Sequence, residues 1–451
     1  MVKAAQLIQP LKDRYPVFVF ICQNLFLSVL IAVLNPFGLS DYTDHYTQSM
    51  IARFAAPFYD NKGQSEVVVV QINDQVLREL NQSWPLSYGA HARFLRQIIS
   101  YQPKAIFVDF IYSQDRDPKG LNSLKRLLEK YNDPAGNSPV FIADVIRDGQ
   151  SPLLPELQGD ILRSQIHWSG YSSQYPLELS SSDSVSNTPA QDLYKVYCNK
   201  ASCSDTQWLS DPAPMTLYWG TRTDPIMDHV TDTTECRTYD AGSFGNIAES
   251  ARLLFTNTFM GLYNSDSLDK ATRQSCPYSR YLFAHQLRLR MDTTEELLKD
   301  KIVIFGGSFT GIPDFVQSPV HGQIPGMFMH AMAVDNLITL EQDYLKEPEA
   351  ITSLSVFSWA DLIELSLVAL LLWFIAFIAK THWLASLPHK LILFSGIFTV
   401  ILITAMAMSL LLNYSPVNVI GILLLMTYAI SVSGEVESEV ITDNQEIQEN
   451  P

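Results

Sequence analysis

Apolar positions along the chain fall into two kinds of run, and their lengths predict two kinds of element. Four long runs, at residues 17–34, 362–378, 391–412 and 417–432, approach or reach the roughly 20 helical residues that cross a bilayer core of about 30 Å. They predict transmembrane helices over 16–35, 359–379, 391–412 and 417–432. Four short runs, at 67–72, 105–110, 140–145 and 302–305, are rich in Val, Ile and Phe and contain no Pro. Continuous apolarity rather than alternation predicts strands buried on both faces, as in a parallel sheet. Between the first two, Phe94, Leu95, Ile98 and Ile99 recur at helical spacing; between the second and third, Leu121, Leu124, Leu127, Leu128 and Tyr131 do the same. Each set gives a crossover helix one stripe to lay on the sheet.

Toward the carboxyl end, Thr293 followed by Glu296 reads as a capping box for a short helix ending near Lys299, and Pro325 fits the first turn of a helix running to about Leu340. Residues 150–290 break the pattern with a polar stretch at 180–188, four cysteines and scattered aromatics such as Trp208, Tyr218 and Trp219. They predict a disulfide-pinned insertion. The expected fold class is α/β: an exported domain over 36–358, with a mainly parallel sheet flanked by helices and this insertion, plus four transmembrane helices.

Charge then orients the chain. Charged residues are only 17% of 451 while hydrophobic residues are 47%, which excludes a soluble cytoplasmic enzyme. A net charge of −16 argues against a nucleic-acid partner. Lys3, Lys12 and Arg14 precede the first long run, and Lys380 and Lys390 separate the second from the third. By the positive-inside rule both sites are cytoplasmic. Four crossings would keep residues 1–15 in the cytoplasm, export 36–358 and return the tail 433–451, with six acids and no base, to the cytoplasm. The sequence from Ala32 to Pro36 offers no small-x-small cleavage site, so an uncleaved anchor is expected.

Cysteine usage fits export. Cys22 lies in the first run, whereas Cys198, Cys203, Cys236 and Cys276 all lie in the exported segment. Four in an oxidising compartment predict two disulfides, with three pairings open. A zinc site is the alternative, but the gap of four residues from Cys198 to Cys203 and the isolation of the other two fit it poorly.

The residues 67–74 (Val-Val-Val-Val-Gln-Ile-Asn-Asp), Leu77, Trp84-Pro85, 103–110 and Asp115-Arg-Asp117, followed by 298–308, Asp314, Pro319 and 325–331, resemble in order the type-two CHASE domain. That resemblance covers roughly residues 38–433. It implies an extracellular sensory domain of the kind associated with cyclases and histidine kinases, in a bacterial inner membrane, followed by closely spaced spans. Two departures stand out. The arginine that commonly follows the Trp-Pro element is represented here only by His91 and Arg93, and the 19 residues after Val432 are too few for a kinase or cyclase. The expectation is a periplasmic sensor signalling in trans to a separate kinase, cyclase or phosphatase, with an envelope scaffold as the alternative. The membrane is a partner on either reading, and homo-oligomerisation is compatible with both.

Candidate chemistry sits at the carboxyl ends of the strands, where open parallel sheets bind ligands. Asp74, Asp109 and Asp144 are 35 residues apart in each step and occupy equivalent strand ends, beside Gly306-Gly307. Clustered carboxylates suit a divalent cation or a cationic ligand, although Asp also caps loops and helices routinely. The ligand-binding candidates are Asp74, Asp109, Gly306 and Gly307, with Trp84 and Asp314 added by the resemblance. Trp359, Asp361 and Glu364, at the exported end of the second span, are candidates for signal relay. His330 shares a helix face with Met327, Ala331, Val334, Leu337 and Ile338, which predicts a core histidine. Ser308, Asp314 and His330 follow the order of an α/β-hydrolase, but Gly306-Gly-Ser-Phe-Thr310 lacks the second glycine of the nucleophile elbow. Neither an enzyme nor a cofactor is expected.

Overall fold

The computed structural model describes residues 16–34, 39–147, 149–167, 174–180, 185–203, 205–234, 236, 242–255, 276–288, 292–309, 314–346, 358–379, 386–416 and 418–431. The chain divides into two units, one comprising 52–346 and the other 1–51 with 347–451.

The larger unit is organised by a six-stranded sheet of β1 (Val67–Asn73), β2 (Ala105–Asp109), β3 (Val140–Asp144), β4 (Leu162–Gln165), β5 (Arg280–Phe283) and β6 (Ile302–Ser308), in the order β4-β3-β2-β6-β1-β5. Every neighbouring pair is parallel. The central strands β1, β2, β3 and β6 are largely apolar because both faces are covered. Val67, Val69, Phe107, Ile302 and Ile304 point into one core, while Val68, Val70, Ile72, Ile106, Val108, Val303 and Phe305 point into the other.

On the second face lie α1 (Tyr88–Ile99) and α2 (Pro118–Lys130). Phe94, Leu95 and Ile98 of α1 and Leu121, Leu124, Leu127 and Leu128 of α2 are the buried stripes expected from their spacing. On the first face lie α3 (Pro189–Ala201) and α4 (Gly326–Leu340). The α4 helix is buried along almost its whole length, Pro325 standing just ahead of it as the cap residue. The short helix before β6 is Asp292–Leu298. It therefore starts ahead of Thr293, and the capping-box role expected for Thr293 is not realised. Strands Phe315–Ser318 and Gly322–Pro325 form an antiparallel hairpin between β6 and α4.

The segment 150–290 is not separate from the sheet, because it supplies both edge strands, β4 and β5. Its two disulfides join Cys198 to Cys203 and Cys236 to Cys276, and Cys22 is free. The first closes the carboxyl end of α3, where the Cys203 amide also donates to the Cys198 carbonyl. The second closes a 40-residue separation shortly before β5.

Beneath β1 a buried polar cluster ties α4 to the chain entering the sheet. Tyr59 donates to Asp335 at 2.6 Å and Thr339 donates to the same carboxylate oxygen at 3.2 Å, while the Gly63 amide donates to Thr339. Gly63 is held so close that a Cβ there would lie 2.7 Å from the Asp335 carboxyl carbon. Asn336 joins the same cluster through Tyr59 and the Tyr218 backbone.

In the smaller unit, two helices among the described residues, rather than the four expected, are candidate membrane spans. Asp361–Ile378 and Pro388–Ser409 are long and apolar enough to cross a membrane. The other apolar stretches found among the described residues are Ile21–Leu30, within the 19-residue helix Pro16–Leu34, and Val419–Ser431. Gln23 and Asn24 interrupt the first run, and Asn418 stands at the start of the last. The tail 433–451 and the leading residues 1–15 lie outside the described residues.

Candidate functional site

The carboxyl ends of β2 and β6 lie side by side, Gly306 facing Asp109 in the parallel register. Both strands stop there: Asp109 ends β2, and Ser308 ends β6. Beside these strand ends lies a recess of about 60 Å³ lined by Trp84, Asp109, Phe110, Gly307, Ser308, Phe309, Asp314 and Phe315, room for about two water-sized groups. Trp84 reaches it from the loop after β1 and stacks on Phe309 with ring centroids 4.0 Å apart; Phe110 is tilted against the indole at 5.8 Å. These rings form its apolar wall.

Two glycines let the walls close. A Cβ on Gly307 would lie 2.4 Å from the Phe309 ring and 2.9 Å from that of Phe110, so any side chain there would displace the aromatic wall. A Cβ on Gly326, the first residue of α4, would lie 2.6 Å from an Asp314 carboxylate oxygen, and the Gly326 amide donates to the Asp314 carbonyl at 3.0 Å. Asp314 is thus held against the amino terminus of α4, where the partial positive end of the helix favours a carboxylate.

Burial pushes the Asp109 carboxyl well above its ordinary range, and the nearby charge of Asp314 adds to the effect. Desolvation moves Asp314 in the same direction, but its side chain is open to solvent on one side and has the helix end beside it. We therefore assign the first ionisation to Asp314 and the retained proton to Asp109. A cation entering the recess would supply the missing counter-charge and drive that proton off. Among the described residues no group of three or more His, Cys, Asp or Glu side chains is placed to hold a metal ion.

Of the residues singled out in the sequence, Trp84, Asp109, Gly307 and Asp314 line this recess, and Gly306 lies beneath it, its Cα so placed that a Cβ would meet Asp109 and Met327 of α4. Asp74 is not among the lining residues: it begins the short helix Asp74–Glu79, which Asn73 caps. Asp144 is buried, and its carboxylate accepts from the Val145 amide and the Ser151 hydroxyl and pairs with Arg163 at 3.4 Å. Equal spacing of the three acids thus reflects the strand–helix repeat, and one of the three lines the recess. The aromatic partners Phe110, Phe309 and Phe315 carry no signal of their own in the sequence. Phe110 and Phe309 read as extensions of apolar strands, and only the Trp84 stack reveals their role.

His91 stands behind the wall, edge-on to Phe110 at 4.7 Å and within hydrogen-bond distance of the Tyr112 hydroxyl at 3.2 Å. Burial pushes it down to about 3, with Arg116 adding, so it is neutral. Arg93 is exposed on α1. His330 is a core residue, as its helix face predicts: it meets the Tyr175 hydroxyl at 2.8 Å and Phe107 edge-on at 5.3 Å. Burial pushes it, too, down to about 3.

The relay candidates belong to the smaller unit, on the helix Trp359–Ala379. Asp361 forms a capping box with Ser358: its carboxylate accepts from the Ser358 amide at 2.6 Å, while the Asp361 amide donates to the Ser358 hydroxyl. Glu364 accepts from the Asn418 amide at 3.2 Å, and the Asn418 side chain donates to Thr43 at 2.7 Å. Three helical segments of this unit are therefore pinned together by polar groups. Trp359 is exposed.

No curated protein and no solved structure matches the chain. A family model, that of the CHASE2 domain, matches residues 25–378, which takes in the whole sheet, the recess and the first of the two candidate spans. The chain belongs to the CHASE2 domain family, a family of extracellular sensory domains.

Proposed function

We propose that the domain senses a small cationic ligand, an amine or ammonium group, in the recess between β2 and β6, and that the membrane helices pass the signal to a separate output protein. The observation that carries this reading is the pairing of two carboxyls with an aromatic wall in one recess at the carboxyl edge of a parallel sheet. Carboxylates supply the counter-charge and ring faces attract a cation; a recess of about 60 Å³ suits a single ammonium head. Binding rather than turnover is favoured because His330, the base a hydrolase would need, is engaged with Tyr175 in the core. A ligand shifts a signalling equilibrium only by its differential affinity for the two states.

Ammonium and methylammonium binding to the full chain in detergent, followed by calorimetry, tests the reading. Affinity should rise with pH as Asp109 loses its proton, because the ionised form is the one that pairs. Asp109→Asn should weaken binding by about 10- to 100-fold and flatten the pH dependence, since each lost charged partner is worth roughly 1.5–3 kcal/mol. Equal affinity in wild type and variant would refute the site.

The orientation belongs to the same proposal: the domain lies in the periplasm of a bacterial inner membrane. It rests on Lys380 and Lys390 flanking the loop between the two candidate spans. A reporter fused at residue 385 should read as cytoplasmic and one near residue 200 as exported. The reverse pattern would rule out an extracellular ligand.

A further inference from the structure

On the face of the larger unit away from the sheet, α1 and α2 enclose an open groove of about 500 Å³, lined by Arg96, Lys119, Asn122, Ser123, Arg126, Leu127 and Lys130. On α2 the lining positions follow the i, i+3, i+4, i+7 rhythm of one helix face, so Lys119, Arg126 and Lys130 form a row. At 1.5 Å per residue their charges are spaced about 10 and 6 Å apart along the helix. Arg96 faces the row from α1 and donates to Ser123 at 3.2 Å; Lys130 lies over the Tyr131 ring. Among the described residues none of these four cations pairs with a carboxylate, and the neighbouring Glu129 is taken by Lys125. On a chain of net charge −16, a row of three uncompensated cations faced by a fourth across a concave groove marks complementarity to an anion.

We propose that this groove binds an acidic oligosaccharide, a linear sugar chain bearing carboxylate groups, as a second extracellular recognition site distinct from the recess. The row is extended, which suits a polymer with repeated charges rather than one compact anion. Asn122 and Ser123 supply neutral hydrogen-bonding groups between the cations, as sugar hydroxyls require. The one apolar lining residue, Leu127, is only 8% exposed, so the groove offers neither an acyl chain nor an apolar protein anchor a place to insert. A bilayer surface is flat and cannot follow a concavity between two helices.

The test uses the full chain in detergent with a labelled oligogalacturonate of several residues, and its methyl-esterified form as the uncharged counterpart. The acidic form should bind and the esterified form should not, with affinity falling as salt is raised. Lys119→Glu combined with Arg126→Glu should lower affinity at least 10-fold, while methylammonium binding at the recess stays unchanged. Both side chains are exposed, so an unchanged melting temperature will certify the fold, and the milder Lys119→Gln with Arg126→Gln provides a second reading. No binding of the acidic form, equal binding of the esterified form, or equal binding by the reversed variant would overturn the proposal. So would flotation with anionic vesicles that is lost on charge reversal while oligogalacturonate fails to bind, which would assign the groove to the membrane surface.

Discussion

At about pH 8 the Asp335→Asn variant should unfold with a stability greater than that of the native chain by on the order of 4 kcal/mol, and near pH 4 the two should converge. Asp335 is fully buried at the base of α4, and burial raises its carboxyl from 3.8 to about 7, with the charge of Asp60 adding and the hydrogen bonds from Tyr59 and Thr339 offsetting part of the shift. The folded state therefore holds a proton up to about pH 7, whereas the unfolded chain releases it near the ordinary value. Folding takes up that proton in between, so native stability falls as pH rises from about 4 to about 7 and levels off above. Three units at 1.36 kcal/mol each give the magnitude. Asparagine is neutral throughout and keeps the oxygen that accepts from Tyr59 and Thr339. Glu66, held below its usual range by Lys104 and Lys301 against the cost of its burial, works in the opposite sense, but in both proteins, and cancels in the difference. Thermal unfolding of both chains across the pH range decides it: parallel curves would mean that the carboxylate stays charged and compensated in the fold.

The central strands are legible in the sequence because a short, almost wholly apolar run rich in Val, Ile and Phe suits a strand covered on both faces. Residues 67–72, 105–110, 140–145 and 302–305 all contribute strands of one parallel sheet. The edge strands are not legible, for a physical reason. Leu162-Arg-Ser-Gln165 carries polar residues because only one side of it meets another strand, and Arg280–Phe283 is four residues long and begins with an arginine that pairs with Asp224 at 2.8 Å. Neither shows the two-sided burial signature, and both therefore disappear into an apparent insertion. The recess is half legible. Its acids and glycines follow from strand ends, but a Phe after an apolar strand looks like more strand until β6 is seen to end at Ser308 and Phe309 to stack on Trp84.

Removing the Cys236–Cys276 disulfide should cost about 4 kcal/mol, and removing Cys198–Cys203 about half as much, because the first restrains a 40-residue separation and the second only five. The larger loss is placed where the fold has least redundancy. Cys276 stands four residues before β5, an edge strand with a single neighbour, β1. What else holds that approach is Tyr278, buried in the core and edge-on to Tyr59 at 5.8 Å, together with the Gln64 side chain donating to the Tyr278 carbonyl at 2.6 Å and Arg280 pairing with Asp224. A freed loop therefore loosens the strand that completes one side of the sheet. Against a typical total stability of about 5–15 kcal/mol, the Cys236→Ser, Cys276→Ser variant should melt roughly 8–16 °C lower than the native chain. The Cys198→Ser, Cys203→Ser variant should fall by about half that. Thiol titration of the denatured, unreduced native chain should find one reactive thiol, Cys22, and each double variant should leave that count unchanged. Equal destabilisation by the two variants would reject loop closure as the source of the stabilisation, and five reactive thiols in the native chain would reject the disulfides themselves.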